Sequence, residues 1–139
     1  MREEKLKIGI DLDNTITASI ESMAFFALIT NLLKDKAEIH IITNRPTEDK
    51  YRAETVQELS QLDVYYDHLE ITAEKADYIL KEGISIYWDD VDEYYLELPS
   101  SVTVFKIREP GNFDFTKHKW IYGNKTGINI DDRIEPPPP

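Results

Sequence analysis

Two aspartates that lie close together, Asp11 and Asp13, have the clearest capacity for chemistry in this chain. They follow residues 6–10, in which apolar residues alternate, and this pattern predicts a half-buried β-strand over residues 5–10 that ends at the first acid. A carboxylate at the carboxyl end of a strand can attack phosphorus and become an aspartyl phosphate. The other interpretation is a turn rich in Asp and Asn that caps a helix. The motif alone does not decide between the two.

A calcium-binding loop would also contain closely spaced aspartates, but the sequence excludes one here. That loop needs Gly at its sixth position and Glu at its twelfth. Counted from Asp11, these positions hold Ile16 and Ser22. The loop also needs a helix before it, where this chain has the predicted strand.

Predicted strands and helices alternate along the chain. One helix is predicted over about residues 18–33, and a second begins after Thr47, which would be its N-terminal cap. A third is predicted over residues 72–81, and Gly83 would end it. Further strands are predicted over residues 37–42, 68–71, 84–88 and 101–105, and regularity fades after Gly111. This order predicts an α/β protein: a three-layer, Rossmann-like parallel sheet of about five strands.

Composition limits the class of protein. The 139 residues, 41% hydrophobic and 31% charged, are typical of one soluble globular domain. The absence of cysteine excludes disulfides, thiolate zinc sites and a cysteine nucleophile. A formal net charge of −11 disfavours a protein that holds DNA or RNA by charge alone.

The same composition gives expectations for domains and location. We expect one domain over residues 1–130 and a disordered, acidic and proline-rich tail over residues 131–139. No segment is long and apolar enough to span a membrane, and no secretion signal stands at the start. A cytoplasmic protein without a membrane partner is therefore expected.

Three further groups of polar residues follow predicted strands. They are Thr43-Asn44-Arg45, Lys75 and Asp89-Asp90. Because the carboxyl ends of parallel strands share one edge of a sheet, these groups are expected to converge with the first two aspartates. Carboxylates suit Mg²⁺, and a hydroxyl, a helix-start amide and a lysine suit phosphate oxygens. Structural interpretations stay open: strand-end packing for the threonine, a solvated helix position for the lysine, and a helix cap for one of the paired acids.

Taken together, these motifs resemble the haloacid dehalogenase (HAD) superfamily of phosphotransferases. The family's DxDxT motif corresponds to residues 11–15, its threonine to Thr43, its lysine to Lys75, and its acidic pair to Asp89 and Asp90. The motifs occur in the family's order, and the resemblance covers roughly residues 5–106. It implies an HAD-type phosphatase that depends on Mg²⁺.

The resemblance also implies a role for each acid. Asp11 would be the nucleophile, and Asp13 would protonate the leaving oxygen and then deprotonate the attacking water. Asp11, the backbone carbonyl of Asp13, and Asp89 or Asp90 would hold Mg²⁺. Asp90 is the favoured direct ligand.

Phosphate binding is implied for the remaining motif residues. Thr43 and the amide of Asn44 would bind phosphate oxygens, and Lys75 would offset the charge that two anions bring together. Arg45 is expected to contact the substrate beside them.

The spacing of the motifs leaves no room for a cap domain. The interval from Asp11 to Thr43 and the interval from Thr43 to Lys75 are each filled by one predicted helix and one predicted strand. The resemblance places caps in these intervals. We therefore expect an open site that takes a large substrate, or a homo-oligomer in which a neighbouring subunit covers it.

The predicted function is Mg²⁺-dependent hydrolysis of a phosphomonoester through an aspartyl-phosphate intermediate. The favoured substrate is a nucleotide or a nucleic-acid 3′-phosphate, and a small phosphorylated metabolite is the alternative. The rival from another class is a non-catalytic binding or regulatory protein on the same fold. The presence of both Asp11 and Asp13 argues against that rival.

Overall fold

A computed structural model of the chain describes residues 4–121. The strands of the main sheet are β1 (Leu6–Ile10), β2 (Ala37–Thr43), β3 (His68–Ile71), β4 (Ile86–Asp89) and β5 (Thr103–Lys106). The helices are α1 (Ile20–Leu33), α2 (Asp49–Gln61), α3 (Lys75–Glu82) and α4 (Asp92–Leu96), and a short 3₁₀ turn (Ile16–Ala18) precedes α1. Two short strands, β6 (Phe113–Asp114) and β7 (Lys119–Trp120), follow β5.

The five main strands form one parallel sheet in the order β3-β2-β1-β4-β5. Phe26 of α1 and Leu59 of α2 pack in the hydrophobic core on one face, whereas Ile79 of α3 and Tyr94 of α4 pack in the core on the other. Helices therefore cover both faces of the sheet. The predicted three-layer α/β fold is confirmed.

Strand β2 shows how burial on both faces shapes the sequence. Ile39 and Ile41 belong to one core and Ile42 to the other, so the strand is a continuous apolar run rather than an alternating one. Strand β1 lies beside it in the centre of the sheet. From β1 the chain proceeds outward to β2 and β3, then crosses to β4 on the other side of β1. The carboxyl ends of β1 and β4 thus flank the point where the strand order reverses, which is where α/β sheets place their ligands.

Several element boundaries differ from the sequence-based prediction. Gly83 does end α3, in the left-handed conformation with φ of 74°. The helix begins at Lys75 rather than at Thr72, however, and α2 begins at Asp49, with Glu48 rather than Thr47 as the capping residue. Strand β4 begins at Ile86 rather than at Ile84, because the backbone N–H of Ile84 donates to the carbonyl of Ile79 in α3 at 3.0 Å.

The segment after Gly111 is more regular than predicted. Strands β6 and β7 pair antiparallel, with Phe113 opposite Trp120. The tail predicted over residues 131–139, and the domain boundary at residue 130, lie outside the described residues. Among the residues that the structure does describe, no helix has the length and apolar character needed to cross a membrane.

Candidate functional site

The turn after β1 separates the two aspartates of the first motif. Asp11 is buried, and its backbone N–H donates to the carbonyl of Trp88 at 3.0 Å, which fixes it between β1 and β4. Asn14 adopts a left-handed conformation with φ of 61°, which Asn tolerates better than most residues. The turn therefore directs Asp11 into the protein, whereas the Asp13 side chain remains half exposed.

Both carboxylate oxygens of Asp11 have a buried partner. The hydroxyl of Thr15 donates to Oδ2 at 2.8 Å, and the amine of Lys75 donates to Oδ1 at 2.7 Å. Thr15 is fully buried, and its hydroxyl oxygen also lies 3.4 Å from Oδ1 of Asp90. The last residue of the DxDxT motif thus orients the first one.

Lys75 is the buried cation of the site. It is the first residue of α3 and is only 2% exposed; its amine lies 3.1 Å from Oδ2 of Asp89 and 4.3 Å from the ring centre of Tyr94. Burial disfavours a charged amine, but the carboxylates of Asp11 and Asp89 outweigh that effect and raise the pKa of Lys75 above its ordinary value. The amine therefore remains protonated.

Asp89 is fully buried at the end of β4 and accepts three hydrogen bonds. Besides Lys75, the donors are the Tyr87 hydroxyl, in a short hydrogen bond, and the backbone N–H of Val91 at 2.9 Å. Tyr87 lies two residues before Asp89 and hence on the same face of the strand. A Cβ atom on Gly9 would lie 3.1 Å from the Tyr87 ring, so glycine in β1 gives that ring its room.

Asp90 completes a group of three carboxylates with Asp11 and Asp89. Burial, and then repulsion by Asp11 and Asp89, raises the pKa of Asp90 to about 9. Burial and Asp89 likewise raise the pKa of Asp11 to about 6, against the opposing effect of Lys75. The group therefore holds more negative charge than the single lysine offsets.

This group fits a divalent cation. One carboxylate oxygen from each of Asp11, Asp89 and Asp90 lies within 4.8 Å of the others. Oxygen ligands of this kind suit hard cations such as Mg²⁺. The raised pKa values of Asp11 and Asp90 arise first from burial and then from repulsion among the three carboxylates, and a cation bound between them would relieve that repulsion.

Asp13 is not one of these three carboxylates and pairs with Arg45. The guanidinium donates to Oδ1 at 2.7 Å and to Oδ2 at 3.0 Å, and it also contacts Glu58 at 2.9 Å and Thr55 at 3.1 Å. Hydrogen bonds to Asp13, together with Glu58, raise the pKa of Arg45 above its ordinary value although burial opposes this. The hydroxyl of Thr43, which is fully buried at the end of β2, lies 3.5 Å from Oδ2 of Asp13.

Asn44 connects the second motif to the helix side of the site. Its side-chain amide donates to the hydroxyl of Tyr94 at 2.8 Å, and the Tyr94 ring lies against the Lys75 amine. The structure thus brings together Asp11, Lys75, Asp89 and Asp90. It places Thr43 and Arg45 beside Asp13, and Asn44 beside Tyr94.

The sequence analysis missed two tyrosines that order the site, Tyr87 and Tyr94. The position of Tyr87 could have been inferred from the period of a strand, because residues two apart share a face. Tyr94 is in the short helix α4, for which the sequence analysis gave no bounds, so no comparable signal pointed to it. Asn112 was also missed: its side-chain amide donates to the backbone carbonyl of Asp90 at 2.9 Å.

Comparisons with known proteins support the fold. No protein-family model matches the chain, and no curated protein matches it by sequence. A chain of the Pnkp1/Rnl/Hen1 complex is similar in structure, with 16% identity and a TM-score of 0.56 over 78% of this chain and 48% of that one. A chain of the Pnkp1/Rnl/Hen1 RNA repair complex has 18% identity and a TM-score of 0.50 over 76% of this chain and 43% of that one. The chain thus spans less than half of each matched chain, and at this identity the likeness establishes the fold alone.

Proposed function

We propose that this chain is an HAD-type phosphomonoester hydrolase that uses Asp11 as a nucleophile and depends on a divalent cation. The observation that carries the proposal is the position of Asp11. It is buried at a strand end, between the Thr15 hydroxyl and the Lys75 amine, within a group of carboxylates that lacks positive charge.

Asp11, Asp89 and Asp90 would hold the cation, and Mg²⁺ is the ion that these ligands suit. Asp90 is the better candidate for direct coordination, because the Asp89 carboxylate is already engaged by Lys75, Tyr87 and Val91. When bound, Mg²⁺ would neutralise charge on the phosphoryl oxygens and on the carboxylates around them.

The reaction has two steps. A carboxylate oxygen of Asp11 forms a bond to phosphorus while the bond from phosphorus to the leaving oxygen breaks, and Asp13 donates a proton to that oxygen. Water then attacks the aspartyl phosphate, Asp13 accepts its proton, and inorganic phosphate leaves with Asp11 restored. Lys75 offsets the charge that accumulates between nucleophile and phosphate.

Arg45 links substrate binding to this cycle. Its planar guanidinium is held by Asp13, and the same group can bind two phosphate oxygens at once. An arriving phosphate would compete with Asp13 for Arg45, and the released Asp13 carboxylate could then take up the proton that it passes to the leaving oxygen. Thr43 also lies beside Asp13, and its hydroxyl would supply a further donor to phosphate.

A nucleotide or a nucleic-acid 3′-phosphate is the proposed substrate. Residues 14–42 fold into the 3₁₀ turn, α1 and β2, and residues 44–74 into α2 and β3, so the described chain adds no separate domain over the crevice. An open crevice suits the end of a larger molecule better than a small metabolite, because less of the small molecule is enclosed. The fold likeness to chains of an RNA repair complex agrees with this choice. Assembly into a homo-oligomer is the alternative way to cover the crevice.

Hydrolysis of p-nitrophenyl phosphate and of 3′-phosphorylated nucleosides, with Mg²⁺ or with EDTA, tests the proposal. The wild-type protein should hydrolyse these substrates with Mg²⁺ but not with EDTA. The kcat/KM of Asp11→Asn should be at least about a thousandfold lower, while its circular dichroism spectrum is unchanged. Asp77→Asn, an exposed aspartate on α3, is the matched control. Activity retained in Asp11→Asn would exclude the aspartyl-phosphate mechanism. Inactive wild-type protein would favour a non-catalytic binding protein.

A further inference from the structure

We propose that the hairpin β6–β7, with Arg108 beside it, forms a binding rim for a single-stranded polynucleotide whose phosphorylated end enters the crevice. The inference rests on the proposed function and deepens it. It assigns the substrate class to a polynucleotide end rather than to a mononucleotide, and it assigns the recognition to residues 106–120, which the motifs do not include.

The hairpin follows the carboxyl end of the sheet, where the three carboxylates lie. Lys106, the last residue of β5, lies opposite Asp89 in the register of β4 and β5. Asn112, immediately before β6, donates to the backbone carbonyls of Asp90 at 2.9 Å and of Ile107 at 2.7 Å. A molecule whose end reaches Asp90 therefore lies beside the hairpin.

The hairpin presents aromatic surface and a guanidinium together. Phe113 is buried and packs edge-on against Phe115 and Trp120, with ring centres 5.0 Å away in each case. Phe115 is 48% exposed, and the exposed Arg108 lies 5.1 Å from its ring centre. The buried Phe113 ring holds the exposed Phe115 ring in place. A base can therefore stack on Phe115 without the entropy cost of first ordering that side chain. Base stacking on aromatic rings, with arginine alongside, is how sequence-independent single-strand binding works.

The distribution of charged residues on the two sides of the site supports the same assignment. Lys106 and Asp92 pair with each other, so they are left out of the comparison. Residues 107–119 contain three Lys or Arg and two acids, in a chain whose formal net charge is −11. Residues 93–97, on the helix side of the same edge, contain two acids and no basic residue. A polyanion that leaves the crevice is thus attracted along the hairpin and repelled from α4. A mononucleotide is too short to use this difference.

The test compares a 5′-fluorescein hexadeoxynucleotide ending in a 3′-phosphate with a 3′-phosphorylated mononucleoside. Binding of the hexamer is measured by fluorescence anisotropy in EDTA, where turnover is prevented, and kcat/KM for both substrates is measured with Mg²⁺. The rim variant is Arg108→Gln with Phe115→Leu. The control variant is Lys34→Gln with Phe25→Leu, which removes one charge and one half-exposed ring from α1 and its C-terminal cap.

The rim variant should bind the hexamer about tenfold more weakly than wild type, and the ratio of kcat/KM for hexamer to mononucleoside should fall by a similar factor. The control variant should match wild type in both measurements. Equal loss in the two variants, or a wild-type ratio near one, would overturn the inference and leave the phosphatase proposal standing. Rim-dependent binding without hydrolysis of any substrate would support the rim and refute the phosphatase. Rim-dependent binding of an acidic phosphopeptide, with none of the hexamer, would overturn the polynucleotide assignment.

Discussion

The buried amine of Lys75 offers the sharpest test of how this site is held together. Lys75→Met keeps most of the stem but removes the charge that lies 2.7 Å from Asp11 and 3.1 Å from Asp89. The side chain is nearly fully buried, so water cannot replace the lost partner. We expect a large loss of stability in the absence of metal, together with loss of turnover.

The magnitude follows from burial. Breaking a buried ion pair by removing one partner costs about 3–5 kcal/mol, because the remaining charge is left uncompensated. For a domain of this size, 1 kcal/mol corresponds to roughly 4 °C in Tm, so the expected fall is about 12–20 °C. The loss should shrink at pH 5. The pKa of Asp11, already about 6, must rise further without Lys75, and below that pKa the protonated acid no longer needs a cation.

Thermal unfolding followed by circular dichroism, in EDTA at pH 5 and pH 8 and with saturating Mg²⁺ at pH 8, measures these effects. Mg²⁺ should restore much of the stability of Lys75→Met, because it supplies charge to the same carboxylates. Lys81→Met, at an exposed position near the end of the same helix, should change Tm by less than about 2 °C. A similar Tm for Lys75→Met and Lys81→Met at pH 8 would refute the argument, as would a loss that Mg²⁺ does not relieve.

Three further predictions concern the carboxylates. Asp90→Ala should weaken the Mg²⁺-induced rise in Tm more than Asp92→Ala, since Lys106 already donates to Asp92; equal effects would show that Asp90 is not a ligand. Tyr87→Phe removes the hydroxyl that orients Asp89 and should weaken Mg²⁺ affinity about tenfold in an activity titration, whereas unchanged affinity would contradict that role. Without divalent cations, the free energy of unfolding should fall between about pH 4 and pH 9 as folded Asp11 and Asp90, with pKa values of about 6 and 9, are forced to ionise. A flat profile in chemical denaturation would contradict this sign.

The fold could be predicted from the order of the apolar segments along the chain, although the periodicity within each segment was less informative. The five strands were predicted in order because strands buried on both faces are short apolar runs between polar turns. The sequence predicts where helix α1 lies but not which of its faces is buried. Its apolar residues include Phe25, Leu28 and Leu32, which are exposed, whereas Phe26 and Thr30 are buried. The helix is apolar on every side, so periodicity could not tell its inner face from its outer one.

The candidate site was predictable to the extent that strand ends identify it. The rule that carboxyl ends share one edge placed Asp11, Lys75, Asp89 and Asp90 together, as the structure has them. It could not show that Asp13 pairs with Arg45, because side-chain pairing depends on the turn that carries Asp13 outward. The hairpin was missed for a similar reason: strands of two residues leave almost no alternation to detect.

The division of charge within the site connects its stability to its proposed chemistry. Asp11, Asp89 and Asp90 share one buried cation, Lys75, whereas the other nearby cation, Arg45, is held by Asp13 at the surface. The fold thus leaves the inner carboxylates short of positive charge and stores a second cation where a phosphate would arrive. In the proposed function, a divalent ion would correct the first imbalance, and a phosphate would take the guanidinium from Asp13. We expect each binding event to be favourable because the ligand would correct a charge imbalance that the folded protein alone leaves.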